Sequence, residues 1–186
     1  MTARELHWAQ SLMTASILNK LGYNRHYPHA VAFAPQKVFG CGLIDLQIEY
    51  GLCQLQAYLD YVGTEHKAGH VILISLRHLQ AEAGVSFDLL CQPKTELPYL
   101  TDCWLLSLRG RYCAEYNISL RTLNNRVPSI ARTHDRMLME VAITLGLTKQ
   151  EVIDLNQARI FLQVTSLSDI AMSDGVSIHP WSWRGK

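Results

Sequence analysis

Two histidine pairs have a spacing that lets two imidazoles share one metal ion, His26-x-x-His29 and His66-x-x-x-His70. The first pair lies in a connector that contains prolines. The second lacks the glutamate that accompanies two histidines in the metalloprotease helix motif. We therefore expect exposed or hydrogen-bonded histidines, with no metal site and no cofactor.

The cysteines do not indicate a disulfide framework or a zinc ribbon, because their number is odd and no C-x-x-C occurs. We expect five reduced thiols. Cys53 and Cys103 lie among apolar neighbours, where a free cysteine behaves as a small core residue. The five are Cys41, Cys53, Cys91, Cys103 and Cys113.

No motif indicates catalysis in this chain. G-x-S-x-G, the P-loop and G-x-G-x-x-G are all missing from the sequence. The acidic residues include no Asp-Asp pair of the kind that a two-metal polymerase site uses. We expect a protein that is not an enzyme and has no catalytic residue of its own.

Arginines are concentrated in one part of the chain. Residues 109–136 hold six arginines against Glu115 and Asp135, a local balance of +4, whereas the whole chain carries only +1. The guanidinium group suits phosphate, so this stretch favours contact with a nucleic-acid backbone. A solvated, partly salt-bridged face is the alternative. With one arginine from a later helix, the candidate nucleic-acid-binding residues are Arg109, Arg111, Arg121, Arg126, Arg132, Arg136 and Arg159.

The last six residues, Trp-Ser-Trp-Arg-Gly-Lys, place two aromatic rings beside positive charge. Such a pattern suits stacking on the bases of a single strand. Two large apolar rings so close to Lys186 also favour a chain cut from a longer protein.

The elements that must position these residues are helices. Apolar residues recur at helical spacing in six segments, and glycine follows several of them where a left-handed C-cap is expected. The sequence predicts a mainly α fold, with about six helices in an irregular bundle and at most one short strand pair. The 23–35 connector is predicted to be extended, with one short strand. The predicted helices are Ala3–Leu21, Leu43–Val62, Glu65–Ala83, Thr101–Asn117, Asp135–Leu145 and Lys149–Leu167.

We treat 1–186 as a single helical domain or a fragment of a longer polyprotein, with 1–90 and 99–186 as its sub-units. At 48% hydrophobic and 18% charged residues, the chain has the composition of a folded domain. Apolar runs are too short for a membrane span, and the N-terminus does not resemble a secretory signal. We expect an intracellular protein of the nucleus or cytoplasm that makes no use of a membrane.

The junction at Gly146 resembles a helix-turn-helix DNA reader. Thr148-x-x-Glu151 is a capping box that starts the second helix. Any tight junction between two helices shows the same features. The apolar second half, Ile160 to Val164, favours a packing helix, with Gln157 and Arg159 turned towards a partner.

Four blocks occur in the order "KLGYNRHYPHAVAF", "GCGLIDLQIEYGLCQLQAYLDYV", "GHVILISLRHLQAEAGV" and "LNQARIFLQVTSLSDIAMSDG". Together they resemble the region that follows the polymerase domain in reverse-transcriptase-like polyproteins of retroelements in microbial eukaryotes. The resemblance implies a noncatalytic post-palm segment, in a thumb or connection-like position. It also implies an upstream polymerase domain and a template or primer as partners, in a parent polyprotein that is an RNA-directed DNA polymerase.

Three functions therefore stand as hypotheses. The first is this post-palm segment, contacting nucleic acid through its arginines. The second is a helix-turn-helix regulator built on residues 135–160. The third is a pure scaffold or a relic with no activity. The sequence does not define the oligomeric state.

Overall fold

Helices make up nearly all the regular structure of the described residues. The computed structural model describes residues 3–24, 26–122, 127–128 and 132–180. Extended pairing in these ranges consists of two isolated bridges, Met137 with Ser166 and Ala171 with Ile178. The prediction of a mainly α fold is confirmed. The described α-helices are α1 (Ala3–Lys20), α2 (His29–Phe33), α3 (Leu46–Tyr61), α4 (Lys67–Ala83), α5 (Trp104–Ser107), α6 (Leu138–Thr144) and α7 (Lys149–Leu162).

The chain divides into two compact units, Met1–Ala57 and Tyr58–Lys186. The division falls within α3. The connector between residues 90 and 99, which separates the two predicted sub-units, lies inside the second unit.

The first unit is built around one face of α1. Leu6, Thr14 and Leu18 are buried at intervals of eight and four residues, which keeps them on one side of the helix. Between them, the Gln10 side chain accepts a hydrogen bond from the Leu46 N–H at 2.6 Å and donates to the Ile44 carbonyl at 3.3 Å. A polar side chain of α1 thereby fixes the start of α3.

The connector before residue 36 contains α2, where the sequence predicts extended chain with a short strand; that prediction is wrong. Pro28 precedes the helix with a φ of −56°, and its carbonyl accepts from the N–H groups of Val31 and Ala32. Proline fits the start of a helix because no N–H is needed there. The next turn packs so closely that a Cβ at Gly40 would lie 2.0 Å from the Ala34 carbonyl oxygen.

The second unit has α4 as its central helix. Ile72, Leu76, Leu79 and Ala83 are buried along one face, and α4 contacts α7, which in turn contacts α6. Apolar residues of the other segments complete this core. They include Val85, Leu89, Leu90, Leu105, Leu108, Met137, Met139, Ala142, Val152 and Val164.

The predicted helix 101–117 differs from the observed one. Thr101 is not its cap, because its hydroxyl donates to Glu82 at 3.1 Å. The α-helix begins at Trp104 and widens into a π-helix at Leu108–Cys113. A π-turn adds a residue to the helical repeat and so changes which side chains face the core. Arg109 lies in this π-helix and is buried.

The helices on either side of Gly146 are shorter than predicted. The Met137–Ser166 bridge keeps residue 137 extended, so α6 begins at Leu138. The capping box is confirmed, with the Thr148 hydroxyl accepting from the Glu151 N–H and the Glu151 carboxylate accepting from the Thr148 N–H. α7 ends at Leu162 because Gln163 is left-handed, with a φ of 56°.

Candidate nucleic-acid interface

The structure separates six of the seven candidate arginines into two groups. Arg109 and Arg159 are buried, at 5% and 4% exposure. Arg126 lies outside the described residues. The other four are exposed and form no ion pair with another described residue. They are Arg111, Arg121, Arg132 and Arg136.

Arg109 holds the connector that follows α4. Its Nε donates to the Leu89 carbonyl at 2.8 Å, and its Nη2 donates to the carbonyls of Gln92, at 2.8 Å, and Thr95. Burial lowers the pKa of Arg109, yet a guanidinium remains charged at any physiological pH. Its donors are used inside the protein, so we do not include Arg109 in the interface.

Arg159 does the same for the end of α4. Its Nη2 donates to the carbonyls of Ala81, at 3.1 Å, and Glu82, at 2.7 Å, while Asn156 accepts from both Nε and Nη2. A cation at these carbonyls complements the negative end of the helix dipole. Arg159 therefore lies inside the protein, and its position does not support the expectation that it faces a partner.

Tyr99 lies in the electrostatic field of both buried arginines and donates from its hydroxyl to the Ala83 carbonyl at 2.8 Å. Burial raises the pKa of Tyr99, and the charges of Arg159 and Arg109 act in the opposite direction. The net rise keeps the phenol protonated and able to donate. Two arginines and one tyrosine thus satisfy carbonyl groups of α4 and of the connector after it.

Arg132 and Arg136 share one turn. The Asp135 N–H donates to the Arg132 carbonyl at 3.2 Å, and the Asp135 carboxylate accepts from the N–H groups of Arg136, at 2.8 Å, and Ser168, at 3.1 Å. The acidic residue of this turn is therefore engaged with the backbone. Both arginine side chains are exposed on either side of it.

Arg121 and Arg111 are carried by two other segments of the second unit. Arg121 lies between Leu120, whose N–H donates to the Leu90 carbonyl at 3.1 Å, and Thr122, whose hydroxyl contacts the Tyr58 hydroxyl. Arg111 is on the π-helix. Arg121 and Arg111 thus each lie on a segment whose neighbouring residues are buried in the core. The contacts of the described residues do not join these two arginines to the 132–136 turn.

The sequence did not indicate a groove that lies between α4 and α7. Its volume is about 700 Å³. Its walls include Leu79, Ile160 and Val164, with Glu82 and Asp102 among the polar residues. Ile160 is 48% exposed and Phe161 78%, so the apolar half of α7 is not packed as predicted.

The positions of His66, Cys53 and Cys103 were not predicted from the sequence. His66 is the N-cap of α4 and accepts through Nδ1 from the Ala68 N–H at 3.2 Å. Among the described residues, no group of three or more His, Cys, Asp or Glu is arranged to hold a metal ion. All five cysteines are free thiols. Cys53 and Cys103 are exposed, so their predicted place in the core is wrong, whereas Cys113 is buried.

Comparisons with known proteins gave no match to a family model, to a curated protein or to a solved structure. In the part of the chain that the structure describes, no helix is long and apolar enough to cross a membrane. The function is therefore inferred from the residues and their geometry.

Proposed function

We propose that this chain is a noncatalytic, thumb- or connection-like segment of a retroelement reverse-transcriptase-like protein. It binds the phosphate backbone of a template–primer duplex through Arg111, Arg121, Arg132 and Arg136. The observation that supports this proposal is the exposure of these four guanidinium groups without ion-pair partners among the described residues. An upstream polymerase domain supplies the catalytic aspartates.

Exposed arginines without carboxylate partners retain all their donors for phosphate. A solvated, salt-bridged face would instead show carboxylates beside them. Glu115 forms no ion pair with another described residue, and the Asp135 carboxylate accepts from two backbone N–H groups. These contacts favour the interface over the alternative of a neutralised face.

The test is binding of a fluorescent RNA–DNA duplex by the full chain at several salt concentrations. Four phosphate contacts predict a slope of log K against log salt of about −3.6, or roughly a hundredfold loss of affinity between about 50 and 200 mM. Replacing Arg132 and Arg136 by glutamine removes two contacts. The slope then becomes less negative by about 1.8, changing from about −3.6 to about −1.8.

The matched control replaces Lys94 and Lys149, two exposed lysines outside the arginine-rich stretch, by glutamine. This variant has the same net charge as the arginine double variant. The proposal requires the control to keep the slope of the unmodified chain. Equal slopes for the two double variants, or no binding by the folded chain at low salt, would refute the proposed function.

A helix-turn-helix regulator has one observation in its favour, the junction of α6 and α7 through Gly146 at a φ of 67°. The start of α7, however, carries Glu151 and Asp154, which repel phosphate. Selection from random duplexes distinguishes the two functions. Enrichment of one sequence supports the regulator, and an unenriched pool with salt-dependent binding supports the post-palm segment.

A further inference from the structure

The 37–39 turn, which follows α2, presents two apolar side chains to solvent. Val38 is 64% exposed and Phe39 95%, and the Phe39 backbone is left-handed, with a φ of 64°. An aromatic residue seldom adopts this conformation, so the surrounding structure must hold it there. Lys37, which is also exposed, adds a cation to the same turn.

Backbone hydrogen bonds fix this turn on both sides of the exposed ring. The N–H groups of Val38 and Gly40 donate to the Pro35 carbonyl at 3.0 and 3.2 Å. The N–H groups of residues 41–43 donate to carbonyls of residues 31–34 at 2.9–3.0 Å. A turn that is ordered in advance loses little conformational entropy when it binds. An exposed aromatic side chain on such a turn is typical of the anchor residue of a protein interface.

The groove between α4 and α7 is complementary to this turn in its apolar wall and its charge. Leu79, Ile160 and Val164 form the wall. The lining also includes one buried guanidinium, of Arg159, which donates to Asn156 and to α4 carbonyls. The carboxylates that line the groove are those of Glu82 and Asp102. Such a surface suits a large apolar ring with a cation beside it.

We propose that the groove between α4 and α7 of one molecule binds the 37–39 turn of a second copy of this chain. The Phe39 ring covers the apolar wall. The Lys37 ammonium lies at the carboxylates of Glu82 and Asp102.

A second copy fits the groove better than an unrelated protein does, because both halves of the contact occur on this chain. Each copy has one turn and one groove, so the contact is heterologous and joins molecules head to tail, into a ring or an open chain. An interface with one anchor residue is small, so we expect weak association that depends on concentration. The inference is independent of the proposed nucleic-acid interface. It makes no use of Trp181 and Trp183, which lie outside the described residues.

The experiment is sedimentation velocity of the full chain and of two variants over a range of concentrations. Phe39→Asn removes the ring without a change of charge, and asparagine tolerates a left-handed backbone. Ile160→Lys places a cation on the wall of the groove, at a side chain that is 48% exposed and can extend into solvent. We expect the mass of the unmodified chain to rise with concentration. Each variant should associate at least about thirtyfold more weakly, as for the loss of an aromatic anchor.

A mixture of the two variants tests whether turn and groove meet between molecules. F39N keeps its groove and I160K keeps its turn, so one contact can form between them. We expect the mixture to form dimers, with the affinity of one contact of the unmodified chain, and nothing larger. A mixture that stays monomeric overturns the proposal, and so does an unmodified chain that is monomeric at every concentration. If that chain is monomeric and F39N alone loses binding to phosphatidylcholine–phosphatidylserine vesicles, the turn contacts a lipid surface instead.

Two control variants match these substitutions. Trp8→Gln removes another aromatic side chain of the first unit, 67% exposed, and Val71→Lys adds a cation to an exposed residue of α4 that does not line the groove. Both should associate as the unmodified chain does. Equal weakening by a control and by its matched variant overturns the proposal.

A charge exchange tests the position of Lys37. Lys37→Asp and Asp102→Lys should each weaken association, because each places two like charges together. The K37D/D102K double variant restores opposite charges and should regain association. A double variant that associates no better than either single variant overturns the placement of Lys37 at Asp102.

Discussion

Replacing Arg109 by methionine distinguishes a structural arginine from a binding one two residues away. The Arg109 guanidinium donates to three carbonyl groups of the connector after α4, those of Leu89, Gln92 and Thr95. Methionine keeps the apolar stem and removes the donors. Arg111→Met is the matched control, because Arg111 is exposed on the same π-helix.

The magnitude follows from the three carbonyls. The hydrogen bond to Leu89 is buried, and losing a charged donor there costs about 2–3 kcal/mol. The bonds to Gln92 and Thr95 are partly buried, so water replaces the donor and the two together cost about 1 kcal/mol. We expect R109M to lower the free energy of unfolding by about 3–4 kcal/mol. R111M should change it by less than about 0.5 kcal/mol.

The assay is urea unfolding followed by far-ultraviolet circular dichroism, together with hydrogen exchange of peptides covering residues 86–100. R109M should exchange faster in this segment, and R111M should exchange as the unmodified chain does. R111M should instead weaken duplex binding at low salt. If R109M and R111M unfold within about 0.5 kcal/mol of each other, Arg109 does not hold the connector.

Two further contacts are tested by Gly84→Ala, with Gly146→Ala as its control, and by Asp169→Asn. Gly84→Ala should destabilise the chain by about 1–3 kcal/mol in the same assay, because Gly84 has a φ of +60° and a Cβ would lie 2.6 Å from the Arg159 Cζ; Gly146→Ala, with a φ of +67° and nothing within 4 Å of its Cβ, should cost less. For Asp169, burial acts to raise the pKa, but hydrogen bonds from Ser166 and Thr165 outweigh it and hold the pKa below its usual value. A depressed pKa contributes stability above the unfolded pKa of about 4, so D169N should be less stable than the unmodified chain at neutral pH, and the difference should shrink as the pH falls below about 4. A difference that is constant from neutral to acid pH would show that the Asp169 charge does not contribute.

Helices that present one continuous apolar stripe were predictable from the sequence. α1 and α4 end within a residue of their predicted ends, and Gly22 and Gly84 have the positive φ expected after them. The capping box at Thr148 could also be predicted, since its two residues, Thr148 and Glu151, lie within one turn of the chain. Each of these signals is local, and each survives folding because no distant contact competes with it.

Features that depend on distant partners were not predictable. Thr101 resembles a helix N-cap, but its hydroxyl donates a hydrogen bond to the carboxylate of Glu82, which lies 19 residues earlier. Arg159 resembles a surface residue of a helix, yet its acceptors are the carbonyls of Ala81 and Glu82, 78 and 77 residues away. Nothing in the immediate neighbourhood of these residues distinguishes a guanidinium that will donate to carbonyls from one that will face solvent.

The difference between buried and exposed arginines bears directly on the proposed function. Seven arginines taken as phosphate contacts would give a salt slope of about −6, whereas the four described exposed ones give about −3.6. Arg126, outside the described residues, would change the second value to about −4.5. A contribution from Arg109 or Arg159 requires that guanidinium to leave its carbonyl acceptors, so it would come with unfolding of the connector or of the end of α4. The slope and the hydrogen exchange of residues 80–100, which cover both the end of α4 and the connector, must therefore be measured on the same complex. A slope near −6 with an unchanged exchange rate would contradict the division between the two groups of arginines.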